Sequence, residues 1–360
     1  MSTTLSDKSP VLGADRGWRI AALALLAIRF VQGWIYWGGG TRRFIYGPQK
    51  LDVHGHWMAY KFQTAMPGAL LGTNHLVAFL LNHFTLLYAG VIIFSAVEMI
   101  AGFMLIAGLW TRLAAVATIG LSTVLMLLFG WQGATCIDEW TMAASNFGMG
   151  VALFLAGSGA YSMDNWLLAR KPSRANSTLF RWFGGSLPLP LRDEAFKKLA
   201  LGLFLIVLAF VVGSYSYYRG SVITPFHGGP VSPAKHHWQI KDAQLSADGD
   251  VRFHAYVDAG VAAEPSNALV IRLLEAKSGK VVEQWLGKDL AQLPKSAFHN
   301  DFPYQQLHAG KFGIVGPVGA SATISLPGSI NAGVALTPGS YLLEITSVNN
   351  HVWKQSITYP

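Results

Sequence analysis

The sequence holds one cysteine, Cys136. A lone thiol excludes an internal disulfide, an iron–sulfur cluster and a cysteine-based zinc site. No CxxCH haem motif, GxGxxG fingerprint or Walker loop occurs, so no haem, flavin or nucleotide site is recognisable. Charge is scarce as well. Asp, Glu, Lys and Arg make up 13% of the 360 residues, against about 25% in an ordinary soluble domain. The net charge of +8 comes mostly from Lys and Arg flanking apolar runs, so a nucleic-acid-binding stripe is not expected.

What is present is apolar: 52% of residues are hydrophobic. Five runs are long enough to cross a bilayer, which takes about 20 residues each. The first, Trp18–Trp37, is too long for a signal peptide and no small-residue cleavage site follows it. Gly38, Gly39 and Gly40 are expected to end it. Arg29, Gln32 and Tyr36 share one of its faces. The second run, Leu86–Trp110, contains a single charge, Glu98. The third is Leu113–Phe129, the fourth Thr141–Tyr161 with Asn146, and the fifth Leu199–Tyr217, an apolar anchor. Residues 41–85 form a long connection whose second half suits a short amphipathic helix.

An acid in mid-membrane needs a partner or a wet cavity. At ~1.5 Å per residue, Arg29 lies roughly 16 Å into the first run and Glu98 roughly 18 Å into the second. Antiparallel helices would then bring the two together near the midplane. Such a pair either locks two helices or lines a polar redox or transport site.

After residue 217 the pattern changes to alternation. HHWQIKDAQL and VRFHAYV flank Asp248–Gly249, ALVIRLLEA and KVVEQWLG flank Ser278–Gly279, and SYLLEITSV and HVWKQSITY flank Asn349–Asn350. Hairpins of this kind predict about seven to eight strands and a β-sandwich. Residues 291–333, rich in Gly, Pro and His, are expected to be long loops, and the histidines of this half surface residues. The division is thus 1–170 as a four-helix membrane domain, 171–198 as a basic linker, 199–217 as a fifth helix and 218–360 as the sandwich. Residues 162–198 carry seven Lys or Arg and 131–139 carry none. The positive-inside rule then puts the N-terminus inside and the sandwich outside; on the expected bacterial or archaeal cytoplasmic membrane, outside is periplasmic.

Arg29, the GPQKLD stretch at 47–52, MPG at 66–68, E-x-x-x-G with GLWTRLAA from Glu98 to Ala115, and YSMDNWLL at 161–168 resemble the DoxD/DoxX-like membrane family. The tail is similar to DoxA, so nearly the whole chain resembles a fused DoxD–DoxA protein. The resemblance implies an α-helical membrane bundle, four DoxX-like helices plus an anchoring helix, followed by an all-β sandwich. It also implies oxidation of thiosulfate to tetrathionate with transfer of two electrons to membrane quinone.

On that expectation, Arg42, Arg43, Lys50 and His75 bind the thiosulfate dianion through its sulfonate oxygens. Gln32, Asn146, Trp34 and Trp131 line an apolar slot for the quinone ring and carbonyls. Glu98, Arg29 and Cys136 are the candidate catalytic groups. Glu98 is either a proton carrier or the structural partner of Arg29. Cys136 is either a covalent relay or a buried inert thiol, and the acids beside it argue against a lowered thiol pKa. His54 and His56 lack a third ligand, so no metal is expected. Quinone is the acceptor substrate, with no metal, haem or flavin; the other partners are thiosulfate and the lipid bilayer. A homo-oligomer stays open, and nucleic acid is not a partner. The alternative is a non-catalytic carrier or scaffold whose sandwich recruits a partner.

Overall fold

The computed structural model describes residues 16–46, 58–132, 138–159, 161–219, 231–328 and 336–360. Helices α1 (Arg16–Ala24) and α2 (Leu26–Thr41) lead into a π-helical turn, Arg42–Tyr46. Then come α3 (Met58–Ala65), a 3₁₀ turn at Met66–Gly68, and α4 (Thr73–Leu81). Next are α5 (Phe84–Ala107), α6 (Thr111–Phe129) and α7 (Asp138–Ala156). Short helices α8 (Met163–Arg170) and α9 (Thr178–Phe183) precede α10 (Asp193–Arg219). Helices α5, α6 and α10 are long and apolar enough to cross a membrane. The first expected span is divided at Leu25, although helical hydrogen bonds carry through it, Leu25 N to Ala21 O at 3.1 Å and Arg29 N to Leu25 O at 2.9 Å. The fourth, α7, is 19 residues long and more polar, opening on Asp138 and Glu139 and carrying Asn146.

The glycine triplet does not end the first span. Backbone in an apolar medium must satisfy its own hydrogen bonds, so the helix persists where water would let glycine unwind it. The glycines also let two helices touch. A Cβ on Gly40 would lie 2.7 Å from the backbone nitrogen of Met99, and one on Gly102 would overlap the backbone of Trp37. Small residues at such contacts let backbones approach as membrane helices require. The contacts set α2 and α5 antiparallel, with Gly33 beside Ile106 and Gly40 beside Met99.

The chain forms two compact units. The first comprises Met1–Trp57, Tyr88–Met126 and Trp140–Tyr215. Its core includes Ala101, Leu105, Ala114, Ala115 and Leu153 from α5, α6 and α7. Helix α10 packs on α7 through stacked Phe147 and Phe210, 4.1 Å between centroids, and a 2.9 Å bond from Trp140 Nε1 to Ser214 Oγ.

The second unit comprises Met58–Leu87, Leu127–Glu139 and Ser216–Pro360. Its strands are β1 (His237–Leu245), β2 (Val251–Ala259), β3 (Ser266–Glu275), β4 (Val281–Leu286), β5 (Phe298–Asn300), β6 (His308–Gly310), β7 (Gly313–Gly316), β8 (Ser321–Leu326), β9 (Gly339–Ser347) and β10 (Val352–Tyr359). They form two antiparallel sheets, β1-β2-β8-β5 and β10-β9-β3-β7-β6 with β4 beside β3. Phe253, Val257, Ile324, Ile271, Leu273 and Ile345 bury their side chains in the core. All three expected hairpins form. The expectation of long loops at 291–333 is corrected: β5 to β8 lie in this segment. Their three- to six-residue strands sit between Gly and Pro turns, which hid them, yet β8 keeps the buried–exposed alternation near its end.

Candidate functional site: a polar column along α2

Positions 29, 32, 36 and 43 fall on one face of α2 and the π turn that continues it. All four side chains are buried. At the start of α2, Arg29 Nη1 donates to Ser158 O at 2.9 Å and Nη2 to Tyr161 O at 2.8 Å. One turn on, Gln32 Nε2 donates to Asn146 O at 2.7 Å, while Asn146 Nδ2 donates to Met142 O at 2.9 Å. Both amide groups are thereby committed, and Gln32 Oε1 and Asn146 Oδ1 are buried acceptors with no partner among the described residues. Next, the Tyr36 hydroxyl lies 3.1 Å from Thr118 O and 2.9 Å from Ser122 Oγ. At the far end Arg43 pairs with Glu98 and donates to Ser95 Oγ at 3.3 Å. The Arg43 Nε hydrogen is buried and unpartnered.

This overturns the expected Arg29–Glu98 pair. Arg29 sits at the start of α2, where it holds the carbonyls of 158 and 161. Glu98 is approached by Gly39 and paired with Arg43. Fourteen residues of helix separate the two arginines, about 21 Å. The estimate failed because the first helix continues past its glycines, which carries Arg43 down beside α5. Ser95 and Glu98 lie about 16 to 21 Å along α5 from its start at Phe84, so a partly buried ion pair does occur at that depth.

The other expected site residues scatter. Arg42 is exposed beside buried Arg43, so the two do not form one cationic mouth. His75 is exposed on α4. Trp34 faces outward, 58% exposed and stacked on Phe30 at 5.9 Å, on the side of α2 away from the column. Trp131 belongs to the second unit, where it packs on Gly68 and donates to Ala65 O at 2.8 Å. Trp34 therefore does not line a slot with Gln32 and Asn146; the aromatic ring in the column is that of Tyr36. Lys61 bonds Glu139 at 2.7 Å. Lys50, Cys136, His54 and His56 lie outside the described residues.

Sequence reasoning missed a knot at the α5–α6 turn. Asp164 accepts from Trp110 N at 2.8 Å, Thr111 N at 3.2 Å, Thr111 Oγ1 at 3.3 Å and Gly185 N at 2.7 Å. Burial pushes its carboxyl up from the usual range, while these bonds pull it down. Fully buried Arg112 donates to Phe154 O at 2.9 Å, Gly184 O at 2.6 Å and Leu187 O at 2.8 Å. Its donors are spent on backbone, so the knot welds loops rather than holding a ligand. The signal was in GLWTR and YSMDNW, read only as a resemblance.

In the sandwich, His254 Nε2 lies 2.9 Å from Asp301 Oδ2 and 3.1 Å from Ser321 Oγ. One ring nitrogen meets both partners, whereas a catalytic triad uses the two nitrogens separately. The cluster is therefore a surface hydrogen-bond network. His237 pairs with Asp258 at 2.6 Å and is exposed, while His236 is half-buried.

Two family models match the chain. The one described as TQO (thiosulfate:quinone oxidoreductase) small subunit DoxD covers residues 24–191, and the one described as TQO small subunit DoxA covers residues 218–356.

Proposed function

Because the chain belongs to the DoxD and DoxA families, fused in that order, we propose that it oxidises thiosulfate to tetrathionate and reduces membrane quinone. Two thiosulfates join through a new bond between their terminal sulfurs, which releases two electrons. Quinone takes up those electrons with two protons.

The observation that carries this reading is the buried polar column. Four polar side chains on one face of α2 are costly in an apolar bundle unless they serve a ligand or each other. The unpartnered atoms sort by chemistry. Gln32 Oε1 and Asn146 Oδ1 are acceptors and suit the hydroxyls of a hydroquinone. Arg43 Nε is a donor and suits a quinone carbonyl or a sulfonate oxygen. Glu98 either carries a quinol proton or holds Arg43. Arg42, Lys50 and His75 would complete the thiosulfate path, and Cys136 is a candidate relay. The sandwich is assigned to the outside and the N-terminus to the inside by the basic residues of 162–198.

One observation favours the alternative of a carrier or scaffold: the charge of Arg43 is already answered by Glu98. Purified full-length chain with thiosulfate and a short-chain quinone decides between them. The enzyme reading expects thiosulfate-dependent quinol formation with one tetrathionate per quinol, and Gln32→Leu should raise the KM for quinone while leaving that for thiosulfate unchanged. Folded chain that reduces no quinone would sink the enzyme reading.

A further inference from the structure

Within the second unit, the sandwich meets α3 through a closed network of amides. Gln63 is fully buried. Its Nε2 donates to Gln305 O at 2.7 Å and to Gly319 O at 3.0 Å, and its Oε1 accepts from Gln305 N at 2.9 Å. The Gln305 side chain answers by donating to Tyr60 O and Thr64 Oγ1. Both hydrogens of each amide are therefore placed. Tyr60 and Tyr304 pack edge to face beside the network, 6.3 Å between centroids. The fit is close: Gly319 has φ +88°, and a Cβ there would overlap the Gln63 carbonyl oxygen. These partners lie 242 residues apart in the chain, so local sequence does not bring them together.

We propose that this network is a self-sufficient docking interface, by which a DoxA-type sandwich recognises the 58–68 segment of a DoxD-type chain without a covalent link. Three features support it. A neutral, buried network is not screened by salt, unlike a charged surface contact. Loss of one amide leaves several buried groups unsatisfied at once, so the contact discriminates sharply. The two halves also match two different families, each described as a TQO small subunit. In the fused chain the tether would raise the local concentration of the sandwich at this contact and add no specificity. The inference is independent of the redox reading, and its test uses no substrate.

A specific-protease site inserted between Gly228 and Gly229 of the full chain allows the tether to be cut after purification in detergent. The 229–360 piece is expected to stay with the remainder through size-exclusion chromatography at about micromolar concentration, and in ~1 M salt. Gln63→Ala and Gln305→Ala should each weaken retention about tenfold or more. Gln63→Ala leaves the sandwich's own sequence untouched. A released piece that keeps the fluorescence of its buried tryptophans, Trp238 and Trp285, therefore reports loss of docking rather than of folding. Elution of the unmutated piece by itself, or retention undiminished in both alanine variants, would overturn the proposal.

Discussion

At the scale of the residue, the bundle places buried Arg43 beside Glu98, whose side chain is only 13% exposed. Removing either Arg43 or Glu98 strands a charge and should cost on the order of 3–5 kcal/mol. The double change Arg43→Met with Glu98→Met should then unfold later than either single variant. Combining Glu98→Met with Arg29→Met should show no such recovery, because Arg29 bonds to the carbonyls of Ser158 and Tyr161. Unfolding midpoints in detergent across both cycles test this, and additive effects in the first would dissolve the pairing. In the sandwich, the hydrogen bond to Asp258 raises the pKa of His237 above its ordinary 6.5. A raised folded-state value means that the stabilisation is complete below 6.5 and is lost as pH rises through the folded-state value. The thermal midpoint of the sandwich should thus fall between about pH 5.5 and about pH 8.5 by more in the parent than in Asp258→Asn. The effect should be small, since the imidazole is half exposed. Parallel curves for the two proteins would count against the linkage.

At the scale of the element, the decisive fact is that α2 runs through three glycines. Two of them behave oppositely. A Cβ on Gly38 meets nothing within 4 Å, so Gly38→Ala should gain helix propensity, up to about 1 kcal/mol. A Cβ on Gly40 meets backbone atoms of Met99 from 2.7 Å. Backbone cannot step aside as a side chain can, so Gly40→Ala should cost about 1–3 kcal/mol. Thermal unfolding of the two variants side by side checks the register of α2 on α5. Equal behaviour would mean that the helices do not touch there. The same register carries the π turn, and with it Arg43, to Ser95 and Glu98. π turns of this kind occur often at functional sites.

At the scale of the whole molecule, the basic segment between 162 and 198 is partly helical, with Arg170 in α8, Arg181 in α9 and Lys197 and Lys198 in α10, and Asp164 and Arg112 tie it to the α5–α6 turn. Their charge still bears on orientation. In a Cys136→Ser background, Ser278→Cys should react with a membrane-impermeant maleimide on intact cells, and Ser173→Cys only after permeabilisation. Both serines are exposed. The reverse labelling pattern would invert the proposed topology.

Some of this was determined by sequence alone. Apolar runs, period-two strands and hairpin turns are local patterns, and local patterns bound the fold class before any contact is known. So the helical half, the sandwich and its three hairpins were legible, as was the shared face of Arg29, Gln32 and Tyr36. The short strands β5 to β8 were not, because three to six residues between glycines carry too little period to read. Partners were decided only by the tertiary structure. In sequence, Arg29 lies inside an apolar run and Arg43 beyond the glycines that were expected to end it. Which of them meets Glu98 depends on where two helices cross, and that depends on glycine contacts between residues about sixty apart. Asp164 and Arg112 gave no local sign of their partners, which are mostly backbone groups of the folded loops. Gln63 and Gln305 gave no local signal either, since a buried amide network is a property of two surfaces meeting and neither surface contains it by itself.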